Sequence, residues 1–290
     1  MSGARGRRAA ALALACAGLA LAASCGPRPT APAPVTGGAR GARYLGELLR
    51  REDAAAMADA DVMLWARVRP GAFSGDTADA PPDGAGALTP LPALRADLLM
   101  GWPDALRLRF APLFGVALDV AAWGDSVVAY APGQRSGLAL DAVRDSLGAA
   151  APGRLLLRLW SAAWRPPEAA WRDAAPAGDL VLVRWVEAED SVAVALDANG
   201  RPAWARLARP DGRGVRVTYE RWELVSGVGW PMTLRVEGLD GSFTLTSRVD
   251  HLRFEPKRDD ARLRLRLPPG AKRLDPARLG PLLEMMGGAR

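Results

Sequence analysis

The chain has 290 residues, 38 basic against 32 acidic, a formal charge of +6, one histidine and two cysteines. Removing Arg5, Arg7 and Arg8 with an N-terminal signal leaves 35 basic residues, a charge of about +3, and the arginines that remain are scattered through alternating stretches. That dispersal excludes the concentrated basic stripe that nucleic-acid binding needs, and the length suits one large β domain or two small ones.

The first stretch, "MSGARGRRAAALALACAGLALAASCG", carries three arginines, an apolar run and then small residues before a cysteine. This is the three-part pattern of a secretory signal. The run from Ala9 to Ala23 is too short and too alanine-rich for a comfortable membrane span, which needs about 20 apolar residues. Residues 1–24 are therefore expected to be removed. "LAASC", ending at Cys25, resembles the lipobox of bacterial lipoproteins, which implies cleavage before Cys25 and acylation of its thiol; Cys16 lies inside the apolar run, not at its end. With one cysteine left after cleavage, no intramolecular disulfide forms. Residues 25–42 are rich in Pro, Gly, Ala and Thr and are expected to be a flexible tether. Gly26 stands where those lipoproteins often carry an Asp for inner-membrane retention, which implies the outer membrane and a periplasm-facing body.

Residues 40–60 place Tyr44, Leu45, Leu48, Leu49, Ala56 and Met57 at helical spacing, so an amphipathic helix opens the body. "DVMLWARVRP" and "LPALRADLLM" read as strands separated by a long Gly/Pro/Asp/Ala loop. "ALRLRFA", "VALDVAAW" and "DSVVAYAP" alternate apolar and polar residues between turn signals, a three-stranded meander. Within it, "APLFG" puts Leu113 and Phe114 at a turn, where neither residue supplies the backbone reason that Gly, Pro or Asn does. From Gly137 the period changes: "GLALDAVRDSLGAA" and "PGRLLLRLWSAAWRPP" predict a helical pair stopped by Pro166 and Pro167. Strands resume with "DLVLVRWVEA" and "DSVAVALDANGRPAWARLAR", whose Asn199-Gly200 is a strong hairpin signal. Asp240-Gly241 marks another turn, and Leu263, Leu265 and Leu267 alternating with arginines predict one more half-buried strand. The expected fold is mainly β with α: a strongly curved antiparallel sheet, an incomplete β-barrel of about 10–11 strands, covered by a few helices. The folded body spans 43–275, followed by a tail over 276–290.

Catalytic signals are weak. His251 has no second histidine or cysteine beside it, no G-x-S-x-G elbow is present, and Glu187, Glu189 and Asp190 sit at a strand end where solvated carboxylates are the default. Neither an enzyme nor a metal or other cofactor is expected.

An anchor signal, a helix, strands, "LRLRFAPLFGVALDVAAWGDSVVAYAPGQ", the helical pair and a closing "RLRLRLPPGAKRLD" together resemble the LolB-like lipoproteins of the LolA/LolB superfamily. The order of elements matches over residues 40–275, the motif only over 104–167. The resemblance implies an apolar cavity that receives acyl chains of lipids or lipoproteins, for localisation of lipoproteins to the outer membrane, with a soluble LolA-like carrier as partner and a monomeric receptor. It also implies that the turn bearing Leu113, with Phe114 as an additional residue, dips into the bilayer. Moving an acyl chain takes burial, not chemistry, since each methylene contributes about 0.8 kcal/mol. The inward strand positions Leu106, Leu108, Val116, Leu118, Val183, Trp185, Leu234, Val236, Phe243 and Leu245, with Leu156, Leu159 and Trp160 from the helical cover, are the candidate lining. For each of them ordinary core packing is the default reading and ligand contact the second. A non-catalytic envelope sensor or assembly scaffold that binds a protein partner is the alternative the same anchor and tether allow.

Overall fold

The computed structural model describes residues 38–69, 87–111, 116–141, 152–187 and 189–274. The predicted anchor at Cys25, the tether before residue 38, the tail after 274 and the turn residues Leu113 and Phe114 lie outside them.

Helix α1 (Ala39–Ala54) leads into β1 (Met57–Val68), β2 (Thr89–Pro90), β3 (Leu94–Gly101), β4 (Ala105–Phe110), β5 (Leu118–Trp123), β6 (Ser126–Ala131) and β7 (Ser136–Asp141). Helices α2 (Pro152–Ser161) and α3 (Glu168–Arg172) follow. The chain then forms β8 (Ala175–Ala177), β9 (Leu180–Glu187), β10 (Asp190–Leu196), β11 (Pro202–Ala208), β12 (Gly214–Val225), β13 (Val228–Gly238) and β14 (Phe243–Glu255), and ends with α4 (Asp260–Leu263) and β15 (Lys272–Arg273). All strands join one large, curved, open sheet in the order β15-β7-β6-β5-β4-β3-β1-β14-β13-β12-β11-β10-β9-β8, with β2 beside β1. The only parallel pair among the described residues is β15 with β7. Both edges are blunted, β15 by its two-residue length and β8 by Pro176.

Period-two alternation becomes two continuous apolar rows on the inner face. One runs from β1 to β7 through Ala60, Leu98, Leu108, Val120, Ala129 and Leu138, each opposite the next. The other runs from β9 to β1 through Val183, Val194, Ala205, Val217, Val236, Leu245 and Ala66. All are buried in one cluster.

Three expectations are corrected. The opening helix stops at Ala54, and Met57 already belongs to β1, where β-strand pairing to both β3 and β14 outweighs the helical spacing. Residues 137–141 of the supposed first helix of the pair are strand: β7 completes the meander against β6, and its Leu138 and Leu140 alternate with Gly137 and Ala139 as well as they fit a helix. The rest of that segment, 142–151, lies outside the described residues; its predicted partner is α2. The closing "ARLRLRL" is also not a strand. After the single turn of α4, capped by Asp259 on the N–H groups of Ala261 and Arg262, residues 264–271 cross the outer face of the sheet as a strap.

The strap keeps the burial alternation without a ladder. Leu263 is buried with Met57, Leu99 and Ala105, against Trp123, in space that the absent side chain of Gly101 leaves open; Leu267 uses Gly137 in the same way. Its arginines are tied down in turn. Arg262 reaches Asp59 at 2.6 Å and Glu255 at 2.9 Å. Arg258 pairs with Asp104 at 3.2 Å and donates to the carbonyl of Trp102. Arg258 and Arg264 stack on the ring of Trp123 at 4.1 and 4.2 Å. A Leu263→Ala substitution is expected to cost about 2–5 kcal/mol through the cavity it leaves, measured as a lower urea midpoint with an unchanged slope; a loss under about 0.5 kcal/mol would show that the strap is not part of the folded unit.

Candidate functional site

The inner face and its cover hold the predicted lining. Leu106 and Leu108 on β4, Leu118 on β5, Val183 on β9, Leu234 and Val236 on β13, and Phe243 and Leu245 on β14 all belong to the one buried cluster. Leu156, Leu159 and Trp160 of α2 join it from the opposite side. Trp185 packs against that cluster half-buried. Val116 is half-buried and precedes β5, which starts at Leu118 rather than at Val116 as the alternation suggests.

These side chains are packed against protein atoms. Leu108, Leu159, Trp160, Val183 and Val236 are 0 % exposed, so the sheet side chains and those of α2 shield one another from solvent.

Helix α2 is amphipathic, with Leu155, Leu156, Leu159 and Trp160 turned to the sheet. Its first turn approaches backbone closely: a side chain at Gly153 would run into the carbonyls of Asp104 and Ala122, and the Gly153 N–H donates to Gly124 O at 3.3 Å. Within the interior, Trp160 Nε1 donates to Ser247 Oγ at 3.3 Å. Arg158 pairs with Glu187 of β9 at 2.9 Å.

The other end of α2 is held by a buried polar group that the sequence reading did not single out. The carbonyls there have no intrahelical partner. Tyr44 of α1 donates to Trp164 O at 2.5 Å and Ala162 O at 3.0 Å. Arg51, two turns further along the same face of α1, donates from Nη1 to Ser161 O. Trp164 Nε1 donates to Tyr219 Oη at 2.8 Å, and Tyr219 donates in turn to Arg158 O at 3.4 Å. The only signal for this in the sequence is the placing of Tyr44 and Arg51 with Leu48 on one helical face, where a buried arginine is not the default reading.

Burial raises the hydroxyls of Tyr44 and Tyr219 above the usual tyrosine range, against the neighbouring hydrogen bonds and the Arg51 charge. Burial pushes the Arg51 guanidinium down to about 10, although Tyr44 and Glu47 work to raise it. Burial also works to raise the Glu47 carboxyl, but the hydrogen bonds from Arg50 and the Gly229 N–H outweigh it and hold that group below its ordinary value.

The carboxylates expected to be solvated divide. Glu187 carries the Arg158 ion pair, half-buried, and Asp190 is buried at the start of β10. Solvated Asp190 is thereby corrected: it is the first residue of β10, laddered to Glu187 of β9, and period-two alternation puts its side chain on the buried face with Val192 and Val194. His251 is exposed on β14 opposite Asp61. Among the described residues no group of three or more His, Cys, Asp or Glu side chains is placed to hold a metal ion, and no helix there is long and apolar enough to cross a membrane.

The chain matches no protein-family model and no curated protein. It is similar to the crystal structure of a LolA superfamily protein from Nitrosomonas europaea, with 13% identity, 77% of this chain and 97% of that one covered, and a TM-score of 0.48. It is also similar to a DUF1329 family protein from Desulfovibrio piger, at 10% identity over 77% and 96% of the chains with a TM-score of 0.47. A domain described as outer membrane lipoprotein-sorting, from Vibrio parahaemolyticus, overlaps at 11% identity over 77% and 97%, with a TM-score of 0.47.

Two consequences for stability follow from the buried hydroxyls. Tyr44→Phe strands the buried carbonyls of Ala162 and Trp164 and is expected to cost about 1–3 kcal/mol. Because the folded state raises both tyrosines, their contribution is complete below the unfolded value of about 10 and is lost as pH rises above it. Arg51 acts with the opposite sign, since its cost as a buried cation is relieved as pH rises past about 10. Two tyrosines against one arginine predict a falling unfolding midpoint above about pH 10, with a shallower fall in Tyr44→Phe; equal pH profiles for the two proteins would show that Tyr44 does not titrate on unfolding.

Proposed function

We propose that this protein is a lipid-anchored, periplasm-facing binder of lipid or lipoprotein acyl chains that serves lipoprotein localisation at the outer membrane. The observation that carries the reading is the inner face: two apolar rows that meet on β1 and run across the sheet, covered by α2 with its apolar face set against them and by residues of α1 and α3 in the same buried cluster. A surface of this kind suits a hydrocarbon chain, whose transfer from water is worth about 0.8 kcal/mol per methylene. Nothing in such a transfer calls for a nucleophile or a metal. The lipobox-like "LAASC" and the resemblance of "LRLRFAPLFGVALDVAAW" to the LolB-like lipoproteins supply the membrane context.

In this reading Cys25 carries the acyl anchor, and the tether, expected over residues 25–42, ends earlier, where α1 begins at Ala39. Leu113 and Phe114 meet the bilayer. A soluble LolA-like carrier delivers cargo, and the receptor acts as a monomer.

Displacement of a fluorescent fatty acid from the purified full-length chain tests the binding claim. Saturable displacement by palmitate is expected, and a folded sample that binds no probe refutes it. The double substitution Leu113→Glu, Phe114→Glu is expected to leave the thermal midpoint within about 1–2 °C while abolishing transfer of a lipoprotein to vesicles. A fall of several degrees would instead mean that the turn is part of the core, as a buried-to-charged change of about 1–3 kcal/mol shifts the midpoint by that much.

A further inference from the structure

Two guanidinium groups, those of Arg50 and Arg51, flank one carboxylate where α1 meets β12 and β13, and a third, that of Arg201, shares the Trp222 ring with Arg51. Glu47 holds Arg50 at 2.5 Å and lies 4.0 Å from Arg51 Nε, beyond hydrogen-bond reach; its Oε1 is already engaged by the Gly229 N–H at 2.5 Å. Arg51 sits over the rings of Trp222 and Trp230, at 5.3 and 5.7 Å from their centres. Arg201 faces Trp222 at 5.8 Å and has no ion-pair partner among the described residues. Asp197, the acid nearest to it in sequence, accepts instead from the backbone N–H groups of Asn199 and Arg201. Glu52 is paired with Arg165 and Glu187 with Arg158. Against Arg50, Arg51 and Arg201 stand Glu47 and Asp197, so the corner carries one surplus positive charge, although Arg51 is only 2 % exposed.

Two N–H donors at this corner have no hydrogen-bond acceptor among the described residues. Arg51 Nε and Trp230 Nε1 are buried and unbonded. Both are donors, so what is missing is an acceptor, and the surplus of guanidinium groups selects an anionic one. A charge-assisted hydrogen bond to Arg51 is roughly twice as strong as a neutral one, and a buried donor left unbonded loses its hydration with nothing in return.

The corner also lies at the end of an apolar track. Trp230 belongs to the buried cluster, and Met232, Leu234 and Val236 follow it at alternate positions on the same face of β13. At about 3.4 Å per residue that is roughly 20 Å of strand, comparable to an extended palmitoyl chain. We infer that Arg51 and Trp230 form a subsite for the carboxylate of a fatty acyl ligand whose chain runs along β13. This assignment rests on the acyl-binding reading above and adds to it a polarity: head at the α1–β13 corner, tail towards Val236.

The test uses the full-length chain and the fluorescent fatty acid, displaced either by palmitate or by 1-hexadecanol of the same chain length. Palmitate is expected to displace at concentrations at least tenfold lower, and the preference should drop to within about threefold in Arg51→Met. Trp230→Phe keeps a ring in the core and removes only the indole donor, so it decides the matter if Arg51→Met does not fold; it should cut the preference several-fold while leaving hexadecanol unchanged. Equal displacement by the two compounds in the parent chain overturns the inference and leaves acyl binding standing, with ordered water as the partner of the two donors. A palmitate preference that survives the substitutions also overturns it, because another cation then reads the carboxylate. If neither compound displaces the probe, the acyl-binding reading itself falls and takes the subsite with it.

Discussion

Everything in this sheet depends on how β1 is paired. Strand β1 runs between β3 and β14, so it joins the N-terminal meander to strands that lie almost two hundred positions later in the chain. The two apolar rows are in phase only because the register on both sides of β1 puts Ala60 and Ala66 on the same face. A slip by one residue would turn one half of the inner face outward. The register on the β14 side contains a break between Asp61 and Val62, where His251 and Val249 are the successive partners and Asp250 is left over. That extra residue is a β-bulge. Its effect is to bring Leu252 and Phe254 back to the core after Val249, so that β14 stays apolar towards Trp230 at its end, 5.6 Å from Phe254.

The alternation was readable wherever a strand has one wet and one buried face. "ALRLRFA" and "DSVVAYAP" show it, and Asn199-Gly200 marks its hairpin correctly: the turn has Gly200 at φ +78° and packs against Arg40 and Arg43 of α1. What could not be read is what depends on contacts distant in sequence. "GLALD" fits a strand and a helix equally, and only the presence of β6 beside it decides. "RLRLRL" has the pattern of a strand, but the outer face of an existing sheet offers it Gly101 and Gly137 as sockets instead of a free edge. The lining was legible as a set of inward positions, because burial on one face follows from period two. That α2 fills the space against them was not, since periodicity reports which face is apolar and says nothing of the distance between faces.

The buried polar corner illustrates the same limit from the other direction. Tyr44, Arg51, Trp164, Tyr219 and Trp230 come from four separate stretches of the chain, and none carries a motif. Each alone is an aromatic or a cation of ordinary type. Their joint arrangement satisfies the buried carbonyls at the end of α2 that the helix itself leaves unpaired. Position and chemistry are supplied together: the residues that hold the cover of the apolar face are the ones that leave two donors unspent beside it.

The packing of α2 on the inner face has an energetic meaning for any hydrocarbon guest. A guest that replaces the α2 side chains gains the burial of its own methylenes but returns part of Leu156, Leu159 and Trp160 to water. The net driving force is the difference of two similar areas, at about 25 cal/mol per Å², and not the full transfer energy of the chain. If only a small fraction of molecules has its helix displaced at any time, the apparent affinity falls by that same fraction. Such a host holds its guest weakly for the area it covers, and it closes over its own side chains when the guest departs. It returns to a water-excluding state without an empty cavity ever being left behind.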